Sequence, residues 1–238
     1  MTGSAPKPGA RLTRELVLRT ALRIIDDEGV NALSMRRLAA DLNRDPMRLY
    51  THADGKDALL DGVVALVLQD FSVAKVLDDD WEQALRVTAH RMHRIALAHP
   101  HVVPLLATRG LGLAFTLRPL DSLQPVEDLL ELFATAGFDD LAAVDACRMY
   151  TGFLMGQMLS AVQEMVDNPD ETEAVLRFGL HRLPLRRFPR LRALSTALSE
   201  YDDAEALDRC LDTLLSGYRA DLERQRVKQH PGEQSPDH

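Results

Sequence analysis

Between residues 12 and 223 apolar side chains recur three and four positions apart, the spacing of one helix face, and the period-two alternation of a strand is absent. Glycine and proline fall where such helices would stop. The pattern predicts an all-α chain. A first helix starts after Thr13, a permitted N-cap, sets Leu18, Ala21, Leu22 and Ile25 on one face, and ends at Gly29. A second, shorter one starts at Ser34 and buries Met35, Leu38, Ala39 and Leu42. The acidic run Asp26, Asp27 and Glu28 sits at the C-terminal end of the first helix, against the preference of the helix dipole. Nothing in the sequence explains it.

The stretch Leu42 to His52 carries the most information. Asn43 tolerates the left-handed backbone that a tight interhelical turn requires. Asp45 then caps a new helix whose first position is Pro46, where a missing N–H costs nothing. Two short helices joined by a turn of about three residues can set the second in the major groove of DNA. A longer helix runs from Asp54-Gly55-Lys56-Asp57 through Leu59, Leu60, Val63, Val64 and Val67. The pattern divides the chain into a flexible N-terminal arm (1–11), a three-helix DNA-binding domain (12–58), a larger helical domain (59–223) and a disordered tail (224–238).

Charge changes the picture only through its distribution. The 238 residues carry a formal net charge of −8, which opposes DNA binding as a sum. Residues 1–60 hold ten basic and eight acidic side chains, however, so the head is +2 and the remainder −10. Two cysteines, Cys147 and Cys210, make neither a disulfide framework nor a zinc finger. No apolar run reaches the roughly 18 residues of a membrane span, and Met1 precedes a polar stretch. These features predict a cytoplasmic, nucleoid-associated protein with no membrane partner. A Gly-rich phosphate loop, a Gly-x-Ser-x-Gly elbow and a His-Glu-x-x-His pair are all absent, so the chain is not expected to be an enzyme and no cofactor is implied.

Residues 12–68 resemble the TetR family of bacterial repressors. The likeness lies in Asp-Glu-Gly-Val at 27–30, Leu-Ser-Met-Arg-Arg-Leu-Ala-Ala at 33–40, Leu-Tyr-Thr-His at 49–52 and Lys-Asp-Ala-Leu-Leu-Asp at 56–61. The rest is similar to a tetracycline-repressor type of C-terminal domain, through Trp81, Ala98-His99-Pro100, Ala136-Gly137-Phe138 and Gly152-Phe153 with Gly156. The resemblance implies that Arg36, Pro46, Met47 and Tyr50 approach base edges, while Ser34, Arg48, Thr51, His52 and Lys56 hold phosphates. An arginine suits guanine, and Met47 offers apolar contact alone, as to a thymine methyl. The turn departs from the family pattern, which places glycine and an aliphatic residue where this chain has Asn43 and Arg44. Arg44 must reach outward, either to DNA or to solvent. Arg37 is expected to pair with acidic neighbours, and Leu49 to be core.

Methionine, aromatic and small residues mix in the apolar faces of the larger domain, a composition that suits an adaptable ligand pocket or an ordinary core. Met92, Leu106, Arg109, Phe133, Phe153 and Gln157 are the candidate ligand residues. Arg109 and Gln157 are polar groups inside apolar runs and need partners, which a ligand could supply. Residues 139–165, with Gly152 and Gly156 four apart, and 204–222, with Leu207, Cys210, Leu211, Leu214 and Leu215 in a stripe, read as subunit-interface helices. Gly152, Gly156, Leu207, Leu211 and Leu214 are the interface candidates. Residues 180–192 read as a basic loop.

The combined reading is a homodimeric, DNA-binding transcriptional repressor. It would bind a palindromic operator in double-stranded DNA and leave it when a small, largely apolar inducer binds. An activator fits the same residues. So does a metal-responsive regulator using His90 and His93, which stand one helical turn apart with His99 and His101 close behind. In tetracycline-binding members of the family a magnesium-contacting histidine falls where this chain aligns Leu106, so the drug–magnesium chelate is not the expected inducer.

Overall fold

The computed structural model describes residues 11–69, 80–110, 123–167, 183–199 and 203–229. Among them every regular element is helical, as the apolar spacing predicts. The chain divides into two compact units, residues 1–72 with 95–124, and residues 73–94 with 125–238.

The first unit begins with α1 (Arg14–Glu28), whose N-cap Thr13 accepts from the Leu16 N–H at 3.2 Å. Gly29 ends it at φ 82°, a backbone angle that a side chain disfavours. α2 (Met35–Leu42) is capped by Ser34, whose Oγ accepts from the Arg37 N–H at 3.1 Å. α3 (Lys56–Gln69) follows Gly55, at φ 95°. The core of this unit is Val17, Leu18, Ala21, Ile24 and Ile25 of α1, Leu38, Ala39 and Leu42 of α2, and Leu59, Leu60, Val63, Val64 and Val67 of α3. A Cβ on Gly62 would lie 2.5 Å from Leu18 Cδ2, so the glycine lets α3 come close to α1. The expected boundary at residue 58 therefore needs correction. It cuts through α3, whose buried face belongs to the head.

α4 (Trp81–Ala98) starts in the second unit and ends in the first. After it come a 3-10 turn at Pro100–Val102, a single turn α5 (Val103–Leu105) and a π-helical turn at Leu106–Gly110. Val102, Val103 and Leu106 are buried.

The second unit contains α6 (Gln124–Ala136), α7 (Asp140–Asp167), two short helices α8 (Pro189–Ala193) and α9 (Ser195–Ser199), and α10 (Asp203–Gln229). Its core centres on four rings. Phe133 meets Phe138 and Tyr218 edge-on at centroid distances of 5.3 and 5.4 Å, and Trp81 meets Phe138 at 6.0 Å. These separations and the steep interplanar angles are the favoured geometry for aromatic pairs. Two buried hydroxyls tie helices together: Tyr150 donates to the Leu85 carbonyl at 2.5 Å, and Tyr218 to the Ala146 carbonyl at 2.8 Å. Along the edge of α4 two ion pairs reach α10, Glu82 with Arg219 and Arg86 with Asp212, and His90 Nε2 lies 2.9 Å from Asp208 Oδ1.

Two segment assignments change. α10 runs to Gln229, six residues into the stretch read as tail, with Val227 and its neighbours on a helix whose last turn holds Arg226 and Lys228. Lysine and arginine there complement the dipole. The segment read as a basic loop is, from residue 183 onward, a turn leading into α8 and α9, because Pro189 sits at an N-terminal helical position. The arm before residue 11 and the tail beyond 229 lie outside the described residues.

Candidate nucleic-acid interface and sensing residues

The head turns where the sequence demands it. Asn43 adopts φ 50° and ψ 53°, and is the non-glycine residue of positive φ among the described residues. Its N–H donates to the Ala40 carbonyl at 3.1 Å, and the Arg44 N–H to the Ala39 carbonyl at 2.9 Å, which closes the end of α2. Asp45 Oδ1 then accepts from the Met47 N–H at 2.8 Å, with Pro46 in the first position.

The helical segment beyond this corner is shorter than expected. Pro46–Arg48 form one 3-10 turn, and the chain continues as hydrogen-bonded turns, His52 N–H to the Leu49 carbonyl at 2.8 Å and Ala53 N–H to the same carbonyl at 3.1 Å. Within 46–53 only Leu49 and Ala53 are buried. Two anchors four residues apart hold a turn but give a longer helix little to pack against. The outcome is a knuckle with Leu49 as its root, and with Pro46, Met47, Arg48, Tyr50 and Thr51 on its outer side. Met47 is 74% and Tyr50 48% exposed, values that no core role explains.

The flanking candidates differ in what they have left to offer. Arg36 is exposed on the first turn of α2. Arg37 beside it is committed to Glu28, at 2.6 Å, and to Asp41. Lys56 Nζ donates one proton to the Val30 carbonyl at 3.1 Å and keeps two for another acceptor. Thr51 donates its hydroxyl to the Arg48 carbonyl at 2.8 Å, so a phosphate contact would require that bond to turn outward. Arg44 reaches back to the Asn43 carbonyl at 3.1 Å, and His52 is half-buried. Ser34 Oγ already serves as the cap of α2.

The sensing candidates separate. Leu106 and Arg109 belong to the first unit, and Met92, Phe133, Phe153 and Gln157 to the second. Arg109 is a correction: it does not await a ligand. Its guanidinium forks onto two carboxylates of α3, Asp61 Oδ1 and Asp57 Oδ1, each at 2.7 Å, and these hydrogen bonds hold its charged form beyond the ordinary guanidinium value. The acidic pair one helical turn apart on α3 was the signal in the sequence. Phe133 is a second correction, since its ring is fully enclosed by the aromatic cluster. Met92 and Leu106 are buried, and Phe153 and Gln157 half-buried. Sequence reasoning did not assign His93 to an organic ligand, yet its Nε2 is buried and has no hydrogen-bond partner among the described residues.

Among the interface candidates, Leu207 and Leu211 are corrected. Both are buried inside the subunit, because their stripe on α10 is spent on the core with Leu215, Tyr218 and Leu222. Leu214 is half-buried. Gly152 and Gly156 are exposed with open space beside them, on the same helix as the exposed Leu141, Val144 and Met149. His90 is held by Asp208 at 2.9 Å, and no group of three or more metal-ligating side chains occurs among the described residues. No helix among them is long and apolar enough to cross a membrane.

A capped helix, a left-handed corner and an exposed knuckle, joined to a larger helical unit, define a helix-turn-helix regulator. The model of the tetracyclin repressor-like C-terminal domain matches residues 75–222, and the chain belongs to this family of transcriptional regulators. The chain is 31% identical over 182 residues to the transcriptional repressor DrrR1 of Streptomyces coeruleorubidus, a match covering 75% of this chain and 63% of that one. It is 27% identical over 220 residues to the class C tetracycline repressor of Escherichia coli, covering 91% and 93%. Among solved structures it is similar to apo ActR of Streptomyces coelicolor, with a TM-score of 0.74, 27% identity and coverage of 91% and 99%. ActR is also known in complex with actinorhodin, and that structure matches at a TM-score of 0.72 and 26% identity over 89% of this chain and 97% of that one.

Proposed function

We propose that the protein is a dimeric repressor that grips a palindromic operator and releases it when a small organic molecule binds the second unit. The observation that carries the reading is the knuckle at 46–51, which exposes a methionine and a tyrosine on a hydrogen-bonded corner in the same unit as Arg36 and Lys56. A groove of DNA accounts for that combination of apolar tip and flanking cations. Arg36, Pro46, Met47 and Tyr50 read bases. Arg48 and Lys56 hold phosphates, with Ser34, Thr51, His52 and Arg44 in supporting contacts. That DrrR1 and the class C protein are named repressors favours repression over activation.

The exposed strip of α7, Leu141, Val144, Met149, Gly152 and Gly156, supplies the subunit contact, because glycines four apart let a partner helix approach closely. Met92, Phe153 and Gln157 belong to the ligand site, together with His93, whose buried, unpartnered Nε2 costs on the order of 1–3 kcal/mol until a polar group meets it. Leu106 is apolar and buried, so a drug–magnesium chelate finds no histidine there. The ligand is instead a largely apolar molecule with a hydrogen-bonding group; that ActR was solved in complex with actinorhodin supports ligand binding as such. A ligand that prefers one separation of the two heads shifts the dimer toward it and off the operator. The lever is α3, which starts at Lys56 and is held by Arg109. The protein acts in the cytoplasm.

The test is selection of duplex sequences by the purified full-length chain, then measurement of the operator Kd at several salt concentrations. A palindromic site with half-sites about one DNA turn apart is the expected outcome. A monomer indifferent to duplex DNA would overturn the reading.

A further inference from the structure

The acidic run that ends α1 against its dipole has a partner far along the chain. His99 Nδ1 lies 2.8 Å from Asp26 Oδ2, and His101 Nδ1 lies 3.3 Å from the Asp26 carbonyl. Two imidazoles of the corner after α4 thus sit on the last turn of the first helix of the head, within one compact unit. The two neighbouring acids point elsewhere: Asp27 to Arg23 at 4.0 Å, and Glu28 to Arg37 at 2.6 Å. Of these three acids Asp26 faces the corner, and its other oxygen, Oδ1, is buried with no hydrogen-bond partner among the described residues. A carboxylate with one oxygen buried and unpaired is undercompensated. The carbonyls at the end of α1 add negative potential in the same place.

We propose that the His99–Asp26 contact is a proton-operated latch, in which an imidazolium at His99 fastens the 99–102 corner to the C-terminal turn of α1 and loss of the proton loosens it. Neutral His99 can still donate from Nδ1, but without the charge that the half-buried carboxylate and the helix terminus call for. His101 stands on the backbone carbonyl and not on the carboxylate. The remaining charges at this end of α1 are Arg23, Arg37 and Asp41: Arg23 reaches Asp27 at 4.0 Å and Asp41 at 2.9 Å, and Arg37 joins Glu28 and the same Asp41. The corner leads through the single turn α5 into the π-helical turn that carries Arg109. The latch therefore acts on the same segment that holds α3, and it exists whatever the head binds.

The experiment tracks the ring carbons of ¹³C-histidine in the full-length protein by NMR between pH 5 and 9, with His99 assigned by His99→Gln. The expected midpoint for His99 lies above the ordinary imidazole value of about 6.5. It falls by about one unit, a tenfold loss of proton affinity, in Asp26→Asn. A wild-type midpoint at or below the ordinary value, or one unmoved by Asp26→Asn, overturns the proposal. Should Asp26→Asn not fold, thermal unfolding of wild type and His99→Gln is compared from pH 5.5 to 8.5. A proton bound more tightly in the fold gives stability that is present below the unfolded value and is lost as pH rises through the folded one. Wild type should lose melting temperature across that range relative to His99→Gln, and parallel curves overturn the latch.

Discussion

Arg109 Nη1 lies 2.7 Å from Asp61 Oδ1, and the neighbouring Nη2 reaches Asp57 Oδ1 at the same distance. The fork fixes the π-helical turn at 106–110 to two successive turns of α3. Single π-turns are frequent at functional sites, which accords with the proposal that α3 is the lever.

Replacing Arg109 by glutamine should hardly affect stability. Asp57 and Asp61 are mostly exposed, and such pairs contribute at most about 1 kcal/mol after solvent screening. Operator affinity should change more, on the order of 3- to 30-fold, because α3 loses its tether. Asp61→Asn should reproduce the direction of the effect. Wild-type operator Kd in both variants, measured beside their melting temperatures, would exclude α3 as the lever.

Asn43 offers a test of the corner itself. Its φ of 50° costs an ordinary L-residue about 1–2 kcal/mol, and glycine very little. Asn43→Ala should lower the free energy of unfolding in urea by about 1 kcal/mol at unchanged slope, and Asn43→Gly by a few tenths. Equal losses would mean that the asparagine side chain, and not its backbone, matters.

The knuckle and its flanks should separate by mechanism. Lys56→Ala removes a cation proposed to meet a phosphate, and should weaken all duplexes alike and lower the salt slope by about one. Arg36→Ala should cost about 1–3 kcal/mol on the selected operator and little on random DNA. Met47→Leu should keep the preferred sequence and Met47→Gln change it, since only apolar contact is available from the tip. Competition binding against randomised half-sites reads all of these together.

The parts of this molecule that were legible in the sequence are the local ones. Thr13, Ser34, Asn43 and Asp45 each act on a backbone group within three or four residues, so their type and position sufficed. The apolar spacing likewise marked the core of the head. Long-range partners left no such trace: Arg109 and Asp61 are 48 residues apart, and His99 and Asp26 are 73 apart. Leu207 and Leu211 show the limit of a stripe, because the same periodicity serves a subunit core or a subunit interface. The knuckle was expected as a helix because its cap and proline are those of a helix, whereas its length is set by Leu49 and Ala53, its only buried side chains.

Two tyrosines set the alkaline limit of the second unit. Tyr150 and Tyr218 are buried, with hydroxyls donating to the carbonyls of Leu85 and Ala146, and burial raises both well above the ordinary phenol value. Cys147, also buried, is raised in the same way. In the unfolded chain a tyrosine ionises near pH 10. Above that pH the unfolded state binds fewer protons than the fold, so stability declines as pH rises, until the folded values are reached. Melting temperature should therefore fall steeply from about pH 10, while tyrosinate absorbance from these two rings appears only with unfolding. Tyr150→Phe and Tyr218→Phe should each cost about 1 kcal/mol at neutral pH, the worth of a buried hydrogen bond. Each should also flatten the alkaline slope by about one proton's share. If the single variants kept the wild-type slope above pH 10, the rings would be ionising in the folded protein and their burial would be wrong.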